Sequence, residues 1–201
     1  MRRRRGAWRW PTPVDSIASV KRKLEAIISL SSVPEDPIHS QSVLKWVLRL
    51  KPDAGEALKI AALGHDVERA IESRKVKREN YGDYDEFKAA HASNSARILK
   101  EIMRECGVDD AQLIEQVYQL VCRHEVGGDP ESDLLKDADA ISFFEVNLPL
   151  YYERNTREET KRRCEWGYRR LSAKTRGLVA RLRYEDQELH RLLQAAIRAS
   201  L

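Results

Sequence analysis

A chain of 201 residues has room for one domain. At that length about 70% of the unfolded surface can be buried, enough for a core and an enclosed site. Hydrophobic residues make up 42% and charged residues 34%, with 36 basic against 32 acidic and a net charge of +4. That balance excludes a disordered polyelectrolyte, and no apolar run approaches the 18 or more residues that cross a bilayer, so a membrane partner is not expected. Three widely spaced cysteines, Cys106, Cys122 and Cys164, exclude a zinc ribbon and a disulfide framework.

The chain opens on Arg2 to Arg5, followed by Trp8, Arg9, Trp10 and Pro11 in place of an apolar export segment. Residues 1–13 are therefore expected to be a basic tail on a cytoplasmic protein, and residues 14–201 a single helical domain. Val14, Ile17, Val20, Leu24, Ile27 and Ile28 recur at three and four residues and predict the first helix, to Leu30. Asp36-Pro37 predicts an N-cap and first-turn proline for a helix reaching Leu50. Asp53 is expected to cap the next helix, carrying Ile60, Ala61 and Leu63 on to Ile71. The polar stretch Glu72 to Asp83 predicts a long loop, a candidate lid.

Helices are then expected over Tyr84–Glu105, ending at Gly107, and over Asp109–Arg123, stopping at Gly127-Gly128. Asp129-Pro130 restarts a helix bearing Leu134, Leu135, Ile141, Phe143 and Phe144, with Pro149 marking its end. Two or more helices fill Arg154 to Leu201, separated around Tyr184 to Asp186. No alternating β-branched run occurs, so the expected fold class is all-α.

Chemistry concentrates in the histidines. His190 reads as structural. His65-Asp66 pairs an imidazole with a carboxylate, a set suited to a divalent transition ion. Neighbours on a helix diverge by about 100°, so an ion shared by both must lie near the helix surface between them. His39 precedes this pair, and Asp139, in Asp137-Ala138-Asp139-Ala140-Ile141, leads into an apolar run. A charge directed at a helical core is costly unless paired or bound to metal.

His39, then Gly64-His65-Asp66, then Ala138-Asp139-Ala140-Ile141 resembles the H…HD…D signature of the HD superfamily. His39-Ser40-Gln41-Ser42-Val43 and Ala61-Ala62-Leu63-Gly64 fit the family's surroundings of these ligands, and the likeness covers about residues 35–145, with residues 154–201 as additional C-terminal helices. The resemblance implies an HD-type helical domain and an enzyme, a metal-dependent hydrolase of phosphoric esters acting on a nucleotide or other small phosphate ester. It implies a metal (Mn, Fe, Co, Ni or Zn) held by His39, His65, Asp66 and Asp139, and water activated there as the nucleophile. Asp137 is left as a supporting or exposed carboxylate. His91 and His124 stand where some relatives hold a second ion bridged by Asp66, so one or two ions are expected.

Glu68, together with Asp66, is expected to serve catalysis by orienting or deprotonating the water. Arg69 stands where some relatives carry an acid, which leaves the base open. Arg69 and Arg123 are the expected substrate phosphate contacts, ahead of Lys136 and the Arg169-Arg170…Lys174…Arg176 run. Two alternatives accompany this reading. One is a di-iron HD-type oxygenase of a small substrate. The other is a nucleic-acid-binding protein using the basic tail, Trp8 and Trp10 around a structural HD site. Oligomeric state is open.

Overall fold

A computed structural model describes residues 13–200, and the expected tail with Trp8 and Trp10 lies outside them. Among the described residues the chain is all-α, as the periodicity predicts. In order run α1 (Pro13–Ile28), α2 (Asp36–Leu50), α3 (Glu56–Gly64), α4 (Tyr84–Glu105), α5 (Ala111–Arg123), α6 (Pro130–Ser142), α7 (Leu148–Arg154), α8 (Arg157–Arg170), α9 (Ala173–Ala180) and α10 (Gln187–Arg198). No described helix is long and apolar enough to cross a membrane.

Each amphipathic helix buries one stripe. On α5, Ile114, Val117, Leu120 and Val121 are buried, and on α10 Leu189, Leu193, Ala196 and Ile197. Side-chain caps fix several starts: Asp83, Asp110, Asp129, Thr156 and Asp186 each accept from amides of the first turn. Gly107 (φ 79°) and Gly127 (φ 76°) end α4 and the turn after α5 in the left-handed region. α4 packs on α5, α2 on both α3 and α6, α3 on α5, and α10 on α8. Leu24, Leu58, Ile60, Leu99, Met103, Leu135, Ile141 and Phe144 fill the space between them, all fully buried.

Four boundaries differ from the sequence expectation. Asp36 does not cap α2. It lies inside the first turn, buried, accepting from Ser31 Oγ at 2.7 Å and pairing with Arg69 Nη2 at 2.9 Å. A charged partner across the fold outcompetes the local amides. Asp53 does not cap α3 either; Gly55 occupies that position without a side-chain bond. α3 stops at Gly64 instead of reaching Ile71, and the chain continues through a 3₁₀ turn, Val67–Ala70.

The fourth difference comes after α6. A π-helical turn spans Phe143–Asn147, with Leu148 N–H donating to the Phe143 carbonyl. Pro149 then sits in the first turn of α7, where its missing N–H costs nothing. The Phe144 carbonyl, which an amide at position 149 would otherwise meet in this register, accepts from Tyr184 Oη at 2.6 Å. The expected loop over residues 72–83 holds only one short 3₁₀ turn, Arg78–Asn80.

Gly64 allows α3 to end flush against its neighbours. A Cβ there would stand 2.8 Å from Leu99 Cδ2 and 3.3 Å from Leu24 Cδ1, both side chains fully buried. Gly64→Ala is expected to destabilise the fold by about 1–3 kcal/mol through overpacking. Urea unfolding measures it, and a loss under about 0.5 kcal/mol would mean Leu99 repacks freely.

Candidate metal centre

Five segments bring their polar side chains to one point. His39 comes from α2, His65 and Asp66 from the turn after α3, His91 from α4, His124 from the residue capping α5, and Asp139 from α6. The pair is not helical as expected: Asp66 has φ −108° and ψ 16°, so the backbone turns between the two ligands. His65 and His124 are completely buried, and His39 and His91 nearly so.

Three of the imidazoles are held in one tautomer by what their Nδ1 atoms touch. His65 Nδ1 donates to the Ala62 carbonyl at 3.0 Å, and His124 Nδ1 to the Val121 carbonyl at 2.7 Å. His91 Nδ1 donates to Glu68 Oε1 at 2.7 Å. Ser142 Oγ lies 2.9 Å from His39 Nδ1 and 3.4 Å from the His39 carbonyl, and a hydroxyl can serve that nitrogen as donor or acceptor. A carbonyl or carboxylate can only accept, so at His65, His91 and His124 the Nδ1 proton is fixed there and Nε2 is the ligand atom.

Those Nε2 atoms converge on carboxylates. His39 Nε2 is 3.2 Å and His65 Nε2 3.7 Å from Asp139 Oδ1. Asp66 Oδ1 is 2.8 Å from His91 Nε2, 3.7 Å from His65 Nε2 and 3.8 Å from His124 Nε2. His65 Nε2 and His124 Nε2 are buried without a hydrogen-bond partner. A buried nitrogen left bare beside two carboxylates makes a donor set that suits a cation.

Two groups could each hold an ion, His39–His65–Asp139 and Asp66–His91–His124, the ligand atoms of each lying within 4.8 Å of one another. Asp66 faces both. His124–Glu125–Asp139 forms a third overlapping group. All six sequence-derived ligands are therefore brought together, and the residues present fit a divalent transition ion in their donor types.

Electrostatics follow from this crowding. Burial works against the charged form of His65, yet Asp66 and Asp139 outweigh it and hold the imidazole up at about 9. Burial likewise disfavours ionised Asp66 and Asp139, but the imidazoles hold both well below the carboxylate range, Arg69 assisting at Asp66 and Arg170 at Asp139. In the metal-free protein a proton thus takes the place of a cation on His65. Ion binding must displace that proton, so affinity is expected to rise about tenfold per pH unit up to about pH 9 and to level off above. The same pair stabilises the metal-free fold below pH 6.5, and that contribution fades as pH climbs through 9. Competition with a chelator at pH 7, 8 and 9 reads the slope; a flat profile would contradict the geometry.

Glu68 does not occupy the position expected of a water-orienting base. It is almost fully buried and faces away from the cavity, accepting from His91 Nδ1, from Val76 N at 2.7 Å and from Asn94 Nδ2 at 2.7 Å. Its carboxylate orients His91 and pins the 72–83 loop, so it acts through another residue. Glu68→Gln is expected to weaken metal binding at the His91–His124 group about 10–100-fold while sparing the His39–His65–Asp139 group. A titration followed by elemental analysis separates the two, and equal loss at both would refute the assignment.

The two arginines fare differently. Arg69 lines the cavity, its guanidinium shared between Asp66 Oδ2 at 3.1 Å and Asp36. Arg123 is half-exposed, pairs with Asp129 at 3.2 Å and does not line the cavity. Lys136 pairs with Asp133, and His190 on α10 belongs to none of the ligand groups. Asp137, buried, accepts from Ser172 N and Oγ and so anchors the start of α9.

Several site residues carry no signal in the sequence. Glu125 is buried against Lys88 Nζ, Arg170 Nη2 (2.6 Å) and His124 Nε2 (3.2 Å). Burial opposes its charge, but Lys88 and Arg170 hold its carboxyl far below the usual range. Arg170 also reaches Asp139 Oδ2 at 3.4 Å. Asn147, from the π turn, lines the cavity with a buried side-chain oxygen that has no partner. The cavity itself is about 30 Å³, bounded by His39, Asp66 and Asp139 on one side and by Phe143, Trp166 and Gly167 on the other.

No curated protein and no solved structure matches the chain. A family model described as a domain of unknown function, DUF4202, matches residues 20–192, and the chain belongs to that family.

Proposed function

We propose that this protein is a metal-dependent phosphohydrolase with an HD-type centre, hydrolysing a nucleotide or other small phosphate ester. One observation carries the reading: three imidazoles fixed by their Nδ1 contacts, with His39 beside them, turn Nε2 toward Asp66 and Asp139 at the floor of a cavity ringed by cations. His39, His65, Asp66 and Asp139 would hold one ion, and His91 and His124 a second that shares Asp66. Bound there, divalent metal supplies Lewis acidity and a nucleophile from water at neutral pH.

The chain's own residues do the rest. Lys88, Arg163 and Arg170 line the cavity beside Arg69 and place positive charge where a phosphate would enter. The buried walls exclude bulk water, which strengthens those charges. Glu125, ion-paired to Lys88 and Arg170, keeps both cations in place without an ester bound. Cations around the opening suit an anionic substrate.

Phosphate release from a panel of nucleoside monophosphates and simple phosphate esters, with Mn, Co, Ni, Zn or Fe(II) added, tests this. Metal-dependent release that disappears in His65→Ala is the expected result. No release from any ester by protein carrying its full complement of metal would refute it. Oxygen uptake by iron-loaded protein without phosphate release would favour the oxygenase.

A further inference from the structure

Next to the small metal cavity lies a larger one of about 670 Å³, within the size range of small-molecule sites. Arg163 and Trp166 line both cavities and stand at their junction. Resting on the phosphohydrolase reading, we propose that the outer pocket is the subsite for a planar aromatic group on the substrate, with Arg163 receiving the phosphate between that group and the metal centre.

The charge pairing singles out Arg163. Of the cations lining the two cavities, Arg69 faces Asp36 and Asp66, Lys88 and Arg170 face Glu125, Arg162 faces Glu159 at 2.6 Å, and Arg169 faces Glu165 at 3.7 Å. Arg163 forms no ion pair with a carboxylate among the described residues and acts on Glu159 only at longer range. It donates to Tyr84 Oη at 2.9 Å, and its guanidinium lies 4.4 Å from the Trp166 ring centre and 4.8 Å from that of Phe143. Aromatic faces hold the guanidinium in place while leaving donors free for an anion.

The walls of the outer pocket select the group that the phosphate carries. Tyr84, Tyr151 and Trp166 provide ring surface, with Tyr84 and Trp166 edge-to-face at 5.4 Å. Glu159 and Glu165 also line it, the first engaged by Arg162 and by Tyr151 Oη, the second by Arg169. Arg162 and Arg169, which also line the pocket, neutralise the two glutamates, so ring surface carries the selection and favours a flat group.

Benzylphosphonate and methylphosphonate, neither hydrolysable at a P–O–C bond, probe the two halves by calorimetry on metal-loaded protein. Wild type is expected to bind benzylphosphonate at least about tenfold more tightly, the contribution of one stacked ring. Tyr151→Leu, which removes ring surface from the outer pocket alone, should erase that preference and leave methylphosphonate within about threefold. Arg163→Gln should weaken both ligands about tenfold or more. Metal content per chain, measured on the same samples, should match wild type in both variants. Equal affinity of wild type for the two ligands, or an affinity that ignores Arg163, would overturn the subsite alone. Binding of neither phosphonate at full metal occupancy would overturn the phosphohydrolase reading with it.

Discussion

Asp66→Ala is expected to strip the centre of both ions, because Asp66 Oδ1 is the one ligand atom that faces His65, His91 and His124 together. Loss of a supporting partner alone typically costs 10–100-fold in metal affinity, so loss of this ligand should cost about 10³-fold or more. Hydrolysis should fall at least in proportion. The variant also leaves Arg69 with one carboxylate fewer and removes the charge that holds the His65 proton. Asp66→Asn separates these effects, keeping the volume while removing the charge. Both variants should lose the thermal stabilisation that added metal gives wild type, about 2.7 kcal/mol at 100 times Kd. A metal-dependent Tm shift in Asp66→Asn equal to that of wild type would show that Asp66 is not a ligand.

The second large effect is expected at Arg170. Its side chain is 13% exposed and that of Glu125 6%, so their 2.6 Å pair lies largely out of water. Removing one partner of such a pair strands the other charge, at a cost of about 3–5 kcal/mol. Lys88 remains on Glu125 and His39 on Asp139, so Arg170→Met should fall near the lower end, about 3 kcal/mol. For a chain of this size that lowers Tm by about 6–12 °C. Metal should restore part of the loss, since a cation beside Asp139 replaces the missing guanidinium. A Tm change under about 2 °C, with or without metal, would mean the network relaxes into solvent.

How much of this the sequence discloses depends on the range of the interaction involved. Helices with caps of their own, such as α4 after Asp83 and α6 after Asp129, are legible because side chain and amide lie two or three residues apart. Asp36 misleads because its partner, Arg69, is 33 positions along the chain. The candidate metal-binding residues are legible because residue order preserves them: His39, His65-Asp66, His91, His124 and Asp139 all meet. Their supports are less so. Glu68 looks like a water-orienting base from its position beyond Asp66, and only the fold reveals that His91, Val76 and Asn94 consume its oxygens. Arg170, in a run ranked behind Arg69 and Arg123 from the sequence, turns inward because α8 packs on α6 and presents one side of that run to Glu125. The π turn that delivers Asn147 has no sequence signature beyond a proline that fails to end the helix.

The most direct test of the metal centre is elemental analysis of protein purified without added metal or chelator, beside His65→Ala prepared in parallel. One to two equivalents of a divalent transition metal per wild-type chain, and almost none in the variant, is the predicted result, with two equivalents supporting the shared role of Asp66. Wild-type protein that retains no metal, and takes up none when Mn, Fe, Co, Ni or Zn is supplied at pH 8, would contradict it.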